Sequence, residues 1–477
     1  MRKKNAEALP DNNGKENKMG TMPVNRLLVS MSLPMIISMI VQALYNVVDS
    51  IFVSWVSEDA LTAVTLAFPI QSLMIAFGSG LGVGVNALLS RSLGEKKMEN
   101  VRGAVTHGMI IYVVVFILFL IAGIAISEPF MASQTGNERI AEDGAAYLSV
   151  VCIFSFGLFG QFFFERLLQS TGRTFFTMIT QGTGAVINII LDPILIFGLL
   201  GAPKMGVTGA AAATVIGQIT AALLALFFNI KFNTEISLSL KGIKLRMQIF
   251  RSILSVGIPS VLMQAISSVM SLGMNAILIS FSSTAVAVFG VYFKLQSFVF
   301  MPVIGLNNGM VPIVAYNYGA RKKDRMLKTI RLSIYYAVAI MALGLIIAQA
   351  IPEQLLSIFN ASGDMMDMGV YALRIISIHF PVAAVCIILS SVFQALGKGL
   401  YSLWISFARQ IIVLLPVAYI FSKIGGLNMI WWCFPLAELL SLVLCVIFFV
   451  RINRKLIRPL GASEKRGKRL QKSAAEV

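Results

Sequence analysis

Five residues that could do chemistry stand where a charge is expensive. Asp49, Asp192, Lys294, Arg409 and Glu438 each lie inside an apolar run long enough to cross a membrane. A charge at the centre of such a run costs roughly 2.5–3.5 kcal/mol on insertion scales, so each is a functional candidate by default. Tyr45 precedes Asp49 by four residues and Asn188 precedes Asp192 by four, which stacks each pair on one helix face. Counted from the ends of their runs, both aspartates sit about 11 Å inside the same face of the membrane at 1.5 Å per residue. Thr214, in "GVTGAAAAT", reaches that level on the next run, which travels the other way. Pro193 has no N–H to give the Ile189 carbonyl, so a kink is expected beside Asp192. Two carboxylates, an amide oxygen and a hydroxyl make an oxygen-rich pocket. It suits a hard monovalent cation such as Na⁺, or a proton shared between the two carboxyls.

The elements that must position these groups follow from hydropathy. With 57% hydrophobic and 13% charged residues and a mean hydropathy of +0.82, the chain reads as an all-α polytopic membrane protein. Apolar blocks lie near 27–56, 60–90, 103–127, 144–168, 175–200 and 205–230. A second set lies near 252–281, 285–315, 330–351, 368–395, 400–422 and 428–450, giving twelve expected helices. Lys and Arg collect in the tails and alternate connections, while Glu58, Asp59, Glu128, Glu353 and Asp364 mark the others. The positive-inside bias puts both termini in the cytoplasm of a cell-membrane protein. The net charge of +17 therefore reads as topology, and with no stacking aromatics among the basic residues no nucleic-acid partner is expected. The polar start, "MRKKNAEALPDNNGKENK", reads as a solvated tail and not a cleavable signal.

The chain also repeats itself. A shift of 225 residues pairs Pro34 with Pro259, Phe68 with Phe293, Gln71-Ser72 with Gln296-Ser297, Gly80 with Gly305 and Gly172 with Gly397, without a gap. Each copy holds an even number of spans, so the two share one orientation about an axis along the membrane normal. The expected division is a tail 1–25, an N-lobe 26–230, a cytoplasmic linker 231–251, a C-lobe 252–455 and a basic tail 456–477. Two six-helix lobes in a V around a central cavity would suit alternating access.

Duplication supplies an internal control. The shift equates Asp49 with Met274, Asn188 with Val413, Asp192 with Val417 and Thr214 with Leu439, so the second copy has lost the whole polar set. A set needed only for folding would be needed twice. Among the other charges, Lys294 and Glu438 lie at similar depth and are expected to form a structural ion pair in the C-lobe; Arg409 has no assigned role, and Glu165 beside Arg166 reads as interfacial. Met270, Met274, Phe300 and Met301 are expected to line the substrate cavity, where flexible thioethers suit varied ligands. The glycines of "GSGLGVG" read as close helix packing, and Cys152, Cys386, Cys433 and Cys445 as inert buried thiols. His107 and His379 form no evident site.

Several stretches together carry a resemblance. "LPMIISMIVQALYNVVDSIFVSWV", "LLSRSLGEKK", "INIILDPILIFG", "GVTGAAAAT" and "GMVPIVAYNYGARKKDRM" are similar to the multidrug and toxic compound extrusion (MATE) family of cation-coupled antiporters. The resemblance covers nearly all of the chain beyond its tails. It implies export of bulky, often cationic amphiphiles in exchange for inward Na⁺ or H⁺, with no other cofactor. It also implies that Asp49, Asp192 and Asn188 match the N-lobe ion-binding carboxylates and helix 5 asparagine, with Thr214 in the helix 6 threonine position. No acid stands in the apolar blocks 252–281, 285–315 and 368–395 of helices 7, 8 and 10, where one branch of the family carries C-lobe carboxylates. The expected partners are small amphiphiles and membrane lipids, and a monomer is expected. A lipid-linked saccharide flippase of the same superfamily is the alternative; it should line its cavity with cations for a pyrophosphate.

Overall fold

Hydrocarbon offers no hydrogen bonds, so each span must satisfy its own backbone, and helices do so within one segment. The computed structural model describes residues 16–238, 245–359, 361 and 363–460. The rest of the two expected tails and residues 239–244 of the expected linker lie outside the described residues. Among the described residues ten helices are long and apolar enough to cross a membrane, and two bent pairs bring the number to as many as twelve. In chain order they are α1 Val24–Ser54, α2 Glu58–Gly94, α3 Met98–Ala125, α4 Glu138–Ile153 with Phe156–Ser170, α5 Thr174–Phe197 and α6 Val207–Phe232. The second set is α7 Met247–Ile279, α8 Ser283–Gly319, α9 Lys323–Ala350, α10 Asp364–Ser377 with Phe380–Ala395, α11 Gly399–Ile424 and α12 Gly426–Leu460. All twelve expected apolar blocks fall on these elements, and the four cysteines are buried and free.

Both bends have local causes. In α10 the 49° bend falls just before Pro381, which has no N–H to continue the ladder. In α4 the 43° bend has no proline; Gly157, just past it, lets the chain lie against the α6 backbone, where an added Cβ would come within 3.0 Å of the Ile219 nitrogen.

Contacts divide the chain into two units, each described separately. The first holds Val41–Leu254 with the residues before Val24, and the second holds Val24–Ile40 with Ser255 onward. The division thus falls within α1. In the second unit the early part of α1 lies against α8 at Gly305 and Gly309, whose added Cβ atoms would stand 2.6 Å from the Ile36 Cα and 2.7 Å from the Ser32 Cα. Ser32 Oγ donates to the Leu306 carbonyl across the same seam at 3.1 Å.

At one end of the first unit the segments flanking the spans are tied down. Asn17 Nδ2 donates to the Thr171 carbonyl at 3.2 Å and to the Glu235 carboxylate at 2.5 Å. Burial pushes the Glu235 carboxyl above the ordinary carboxylate range, and burial together with the Arg173 charge holds the Lys18 ammonium below its own. His107 Nε2 accepts the Arg246 N–H at 2.8 Å, which leaves its Nδ1–H to donate to the Gly103 carbonyl at 2.7 Å. Histidine without an evident site is therefore an anchor for the residues entering α7.

Candidate functional site: a carboxylate pair in the first unit

Two glycines set the distance between α5 and α6. A Cβ on Gly217 would stand 2.7 Å from the Gly184 carbonyl oxygen, and one on Gly184 would stand 3.0 Å from the Gly217 oxygen. Farther along the seam, a Cβ on Gly209 would meet the Leu195 oxygen at 2.6 Å. Between these two contacts the facing residues are Asn188 and Asp192 on α5 and Thr214 on α6. Asn188 Nδ2 donates to Asp192 Oδ1 at 3.4 Å and to Thr214 Oγ1 at 3.3 Å. One amide thus ties the acid to the hydroxyl. All three are buried, Asp192 completely. The helix runs on through Pro193 to Phe197.

From α1, the half-buried Asp49 brings its carboxyl within hydrogen-bonding reach of Asp192, and Tyr45 lies close enough to feel both charges. Two ionised carboxylates in that position repel; a shared proton or a cation between them reverses the sign. Among the described residues, Asp49 Oδ1, Asn188 Oδ1 and Asp192 Oδ2 are buried without a hydrogen-bond partner. Such acceptors usually cost about 1–3 kcal/mol each. Three together, all oxygens, describe the donor set of a hard cation.

Two members of the neighbourhood were not expected. Tyr147, on the first segment of α4, is 2% exposed, hydrogen-bonds Gln71 of α2 and stands within electrostatic reach of Asp49, Tyr45 and Asp192. Gly144, one turn before it, lets α4 approach α2 so closely that a Cβ there would meet the Ala63 carbonyl oxygen at 3.3 Å. The duplication carried a signal for Tyr147, because the second copy has Ala372 in its place. It carried none for Gln71, which is repeated as Gln296.

The remaining candidates lie elsewhere. Glu438 does not pair with Lys294: its Oε2 accepts from Arg409 Nη1 at 3.0 Å, while Lys294 is exposed, with its ammonium 5.8 Å from the Phe359 ring. The residue left without a role is therefore the partner. Packing of α12 against α11 turns Glu438 toward Arg409, and equal depth on α8 and α12 says nothing about which faces meet. Glu165 is 2% exposed and not interfacial, because the second segment of α4 turns it onto α5. There it accepts from Thr180 Oγ1 at 2.9 Å, Gln181 Nε2 at 2.7 Å and Gln161 Nε2 at 3.1 Å. Met270 and Met274 are buried within the second unit, Met274 completely. Phe300 is half-buried, its ring 5.5 Å from that of Phe380, and Met301 is half-buried beside it.

Comparison with known proteins agrees with this architecture. The MatE family profile matches twice, over residues 34–194 and 259–420. Its two matches begin at Pro34 and Pro259, the pair that the internal repeat equates. The chain belongs to the MatE family and is a MATE-type efflux transporter. It is similar to the multidrug export protein MepA of Staphylococcus aureus, at 24% identity over 91% of this chain and 95% of that one. To MepA of Staphylococcus saprophyticus it is 26% identical over 86% and 90% of the two chains. A solved outward-facing conformation of a multidrug resistance MATE family transporter of the MOP superfamily superposes with a TM-score of 0.86 at 25% identity, covering 94% of this chain and 99% of that one.

Proposed function

We propose that this transporter exports bulky amphiphilic, often cationic drugs or metabolites by alternating access in exchange for inward Na⁺ or H⁺, taken up between Asp49 and Asp192. One observation carries the reading: three buried oxygens, on Asp49, Asn188 and Asp192, lack donors where two carboxyls meet. Asn188 holds Asp192 and Thr214 in register, and Tyr45 and Tyr147 stand within electrostatic reach of both carboxyls. The staphylococcal relatives, named as multidrug export proteins, support drug-like substrates. On the same reading the chain is a monomer of the plasma membrane with both termini in the cytoplasm.

The antiport follows from one charge with two claimants. An ionised pair favours a cationic amphiphile nearby, and an incoming Na⁺ or proton cancels that attraction. By linkage each ligand weakens the other by the same factor. The test is dye efflux from proteoliposomes under separately imposed Na⁺ and H⁺ gradients. Asp49→Asn and Asp192→Asn are each expected to abolish gradient-driven efflux in correctly folded, inserted protein. Normal efflux by either variant would sink the ion site. Dye affinity in detergent at fixed ionic strength should also fall as the coupling cation rises, and Asp192→Asn should remove that dependence.

A further inference from the structure

The second unit contains a polar cavity that the ion site does not use. It has a volume of about 260 Å³ and is lined from α7, α10, α11 and α12 by residues including six serines, two glutamines and Arg409, the one charged residue in its wall. Arg409 stands ten residues into α11, about 15 Å from the start of the span, where a charge is least tolerated.

Three features turn the wall into a set of donors. The ion pair with Glu438 occupies Nη1 alone, and a guanidinium carries five N–H donors. Glu438 lies behind the wall and does not line the cavity. Gln410 Nε2 donates to Ser406 Oγ at 2.8 Å, so the Ser406 hydroxyl proton is left to point elsewhere. Ser441, 1% exposed, lies beside the Cys386 thiol, a poor acceptor, and its hydroxyl has no other partner among the described residues. The wall thus offers a ligand the remaining guanidinium N–H groups together with the Ser406 and Ser441 hydroxyls.

The backbone is specialised at the same place. Ala408–Leu414 forms a π-helical turn, in which the Leu415 N–H reaches back to the Gln410 carbonyl. Pro416 has no N–H for the regular ladder, and the wider turn presents Arg409 and Gln410 together to the cavity. The repeat equates α11 and α12 with α5 and α6, the helices that carry Asp192, Asn188 and Thr214. It also equates Arg409 with Gly184, Glu438 with Ala213 and Ser441 with Ile216. Corresponding helix pairs thus differ in their charge: a lone carboxylate, Asp192, in the first unit and a guanidinium with its own carboxylate partner, Arg409 with Glu438, in the second.

We propose that the α7–α10–α11–α12 cavity binds the carboxylate of zwitterionic or anionic amphiphilic substrates, held by Arg409 with the hydroxyls of Ser406 and Ser441. Arg409 is then bridged between the buried Glu438 and the ligand carboxylate. A bidentate guanidinium–carboxylate contact also gives direction, which a point charge would not. The assignment rests on the export reading and adds a class of substrate to it.

The test uses two dyes that share a fluorophore: rhodamine 110, with a free carboxylate, and rhodamine 123, its methyl ester. Binding to the full chain in detergent is read by fluorescence polarisation. Arg409→Gln combined with Glu438→Gln removes both charges without stranding either, and Ser406→Ala with Ser441→Ala leaves the buried pair untouched. The double Gln variant should lose about tenfold or more in affinity for rhodamine 110, and the double Ala variant about threefold. Both should bind rhodamine 123 within twofold of wild type. Equal losses for the two dyes, unchanged binding of rhodamine 110, or no binding of it by the native protein overturns the assignment. Gradient-driven efflux of rhodamine 123 reports separately on export. If it persists while the carboxylate is not selected, the cavity proposal fails alone; Arg409-dependent binding without efflux of either dye retains the cavity and removes export.

Discussion

The crossing of α5 and α6 should be a sensitive packing contact, because backbone there meets backbone beside the site. Gly217→Ala adds a Cβ 2.7 Å from the Gly184 oxygen and 3.3 Å from the Asn188 Cβ, whereas ordinary contact begins at 3.4 Å. The helices must part by about 0.7 Å. The Asn188–Thr214 bond is already long at 3.3 Å, so the same displacement carries it to about 4 Å, beyond hydrogen bonding. Overpacking costs about 1–3 kcal/mol, and alanine returns up to about 1 kcal/mol of helix propensity. We expect a net destabilisation of about 1 kcal/mol in detergent melts. Loss of the bond that holds Asp192 and Thr214 in register should lower gradient-driven efflux roughly fivefold. Gly184→Ala, with its nearest contacts at 3.0 and 3.1 Å, should do less. Gly182→Ala, with nothing within 4 Å of its Cβ, should leave efflux unchanged and gain up to about 1 kcal/mol of helix propensity. Wild-type efflux from Gly217→Ala, or equal effects from all three, would refute the argument that this crossing positions the site.

Other consequences can be checked in the same assays. Tyr147→Phe removes the hydroxyl that bonds Gln71, and should cost about 1 kcal/mol of stability and weaken the response of dye binding to the coupling cation. Arg409→Met strands Glu438 and should destabilise on the order of 3 kcal/mol, less whatever solvent returns to a pair in which Arg409 is 28% exposed; adding Glu438→Leu should recover most of that loss in thermal melts. Aspartate at Met274 or Val417 should not restore efflux to the Asp49→Asn or Asp192→Asn variants. The repeat supplies Val413 and Leu439 there in place of the amide and hydroxyl, and rescue would mean that the two copies are interchangeable.

What the sequence determined by itself was whatever runs along one chain. Hydropathy located twelve spans, because a segment in lipid must be apolar for its whole length. The 225-residue shift located the duplication and, by asymmetry, singled out Asp49, Asn188, Asp192 and Thr214, which the fold does bring together. Four-residue spacing gave depth and face because one helix has one period. Tertiary structure decided whatever depends on which faces of different helices meet. Glu438 and Lys294 share a depth, yet α11 presents Arg409 to Glu438. Glu165 is buried because α4 bends by 43° before it, and no proline in the sequence announces that bend. Tyr147 reaches the carboxylates because Gly144 lets α4 close on α2, and α1 is divided between two units because glycines on α8 accept its first half. Those approaches are set by small residues and bends acting across the packing, and hydropathy along a single helix carries no record of them.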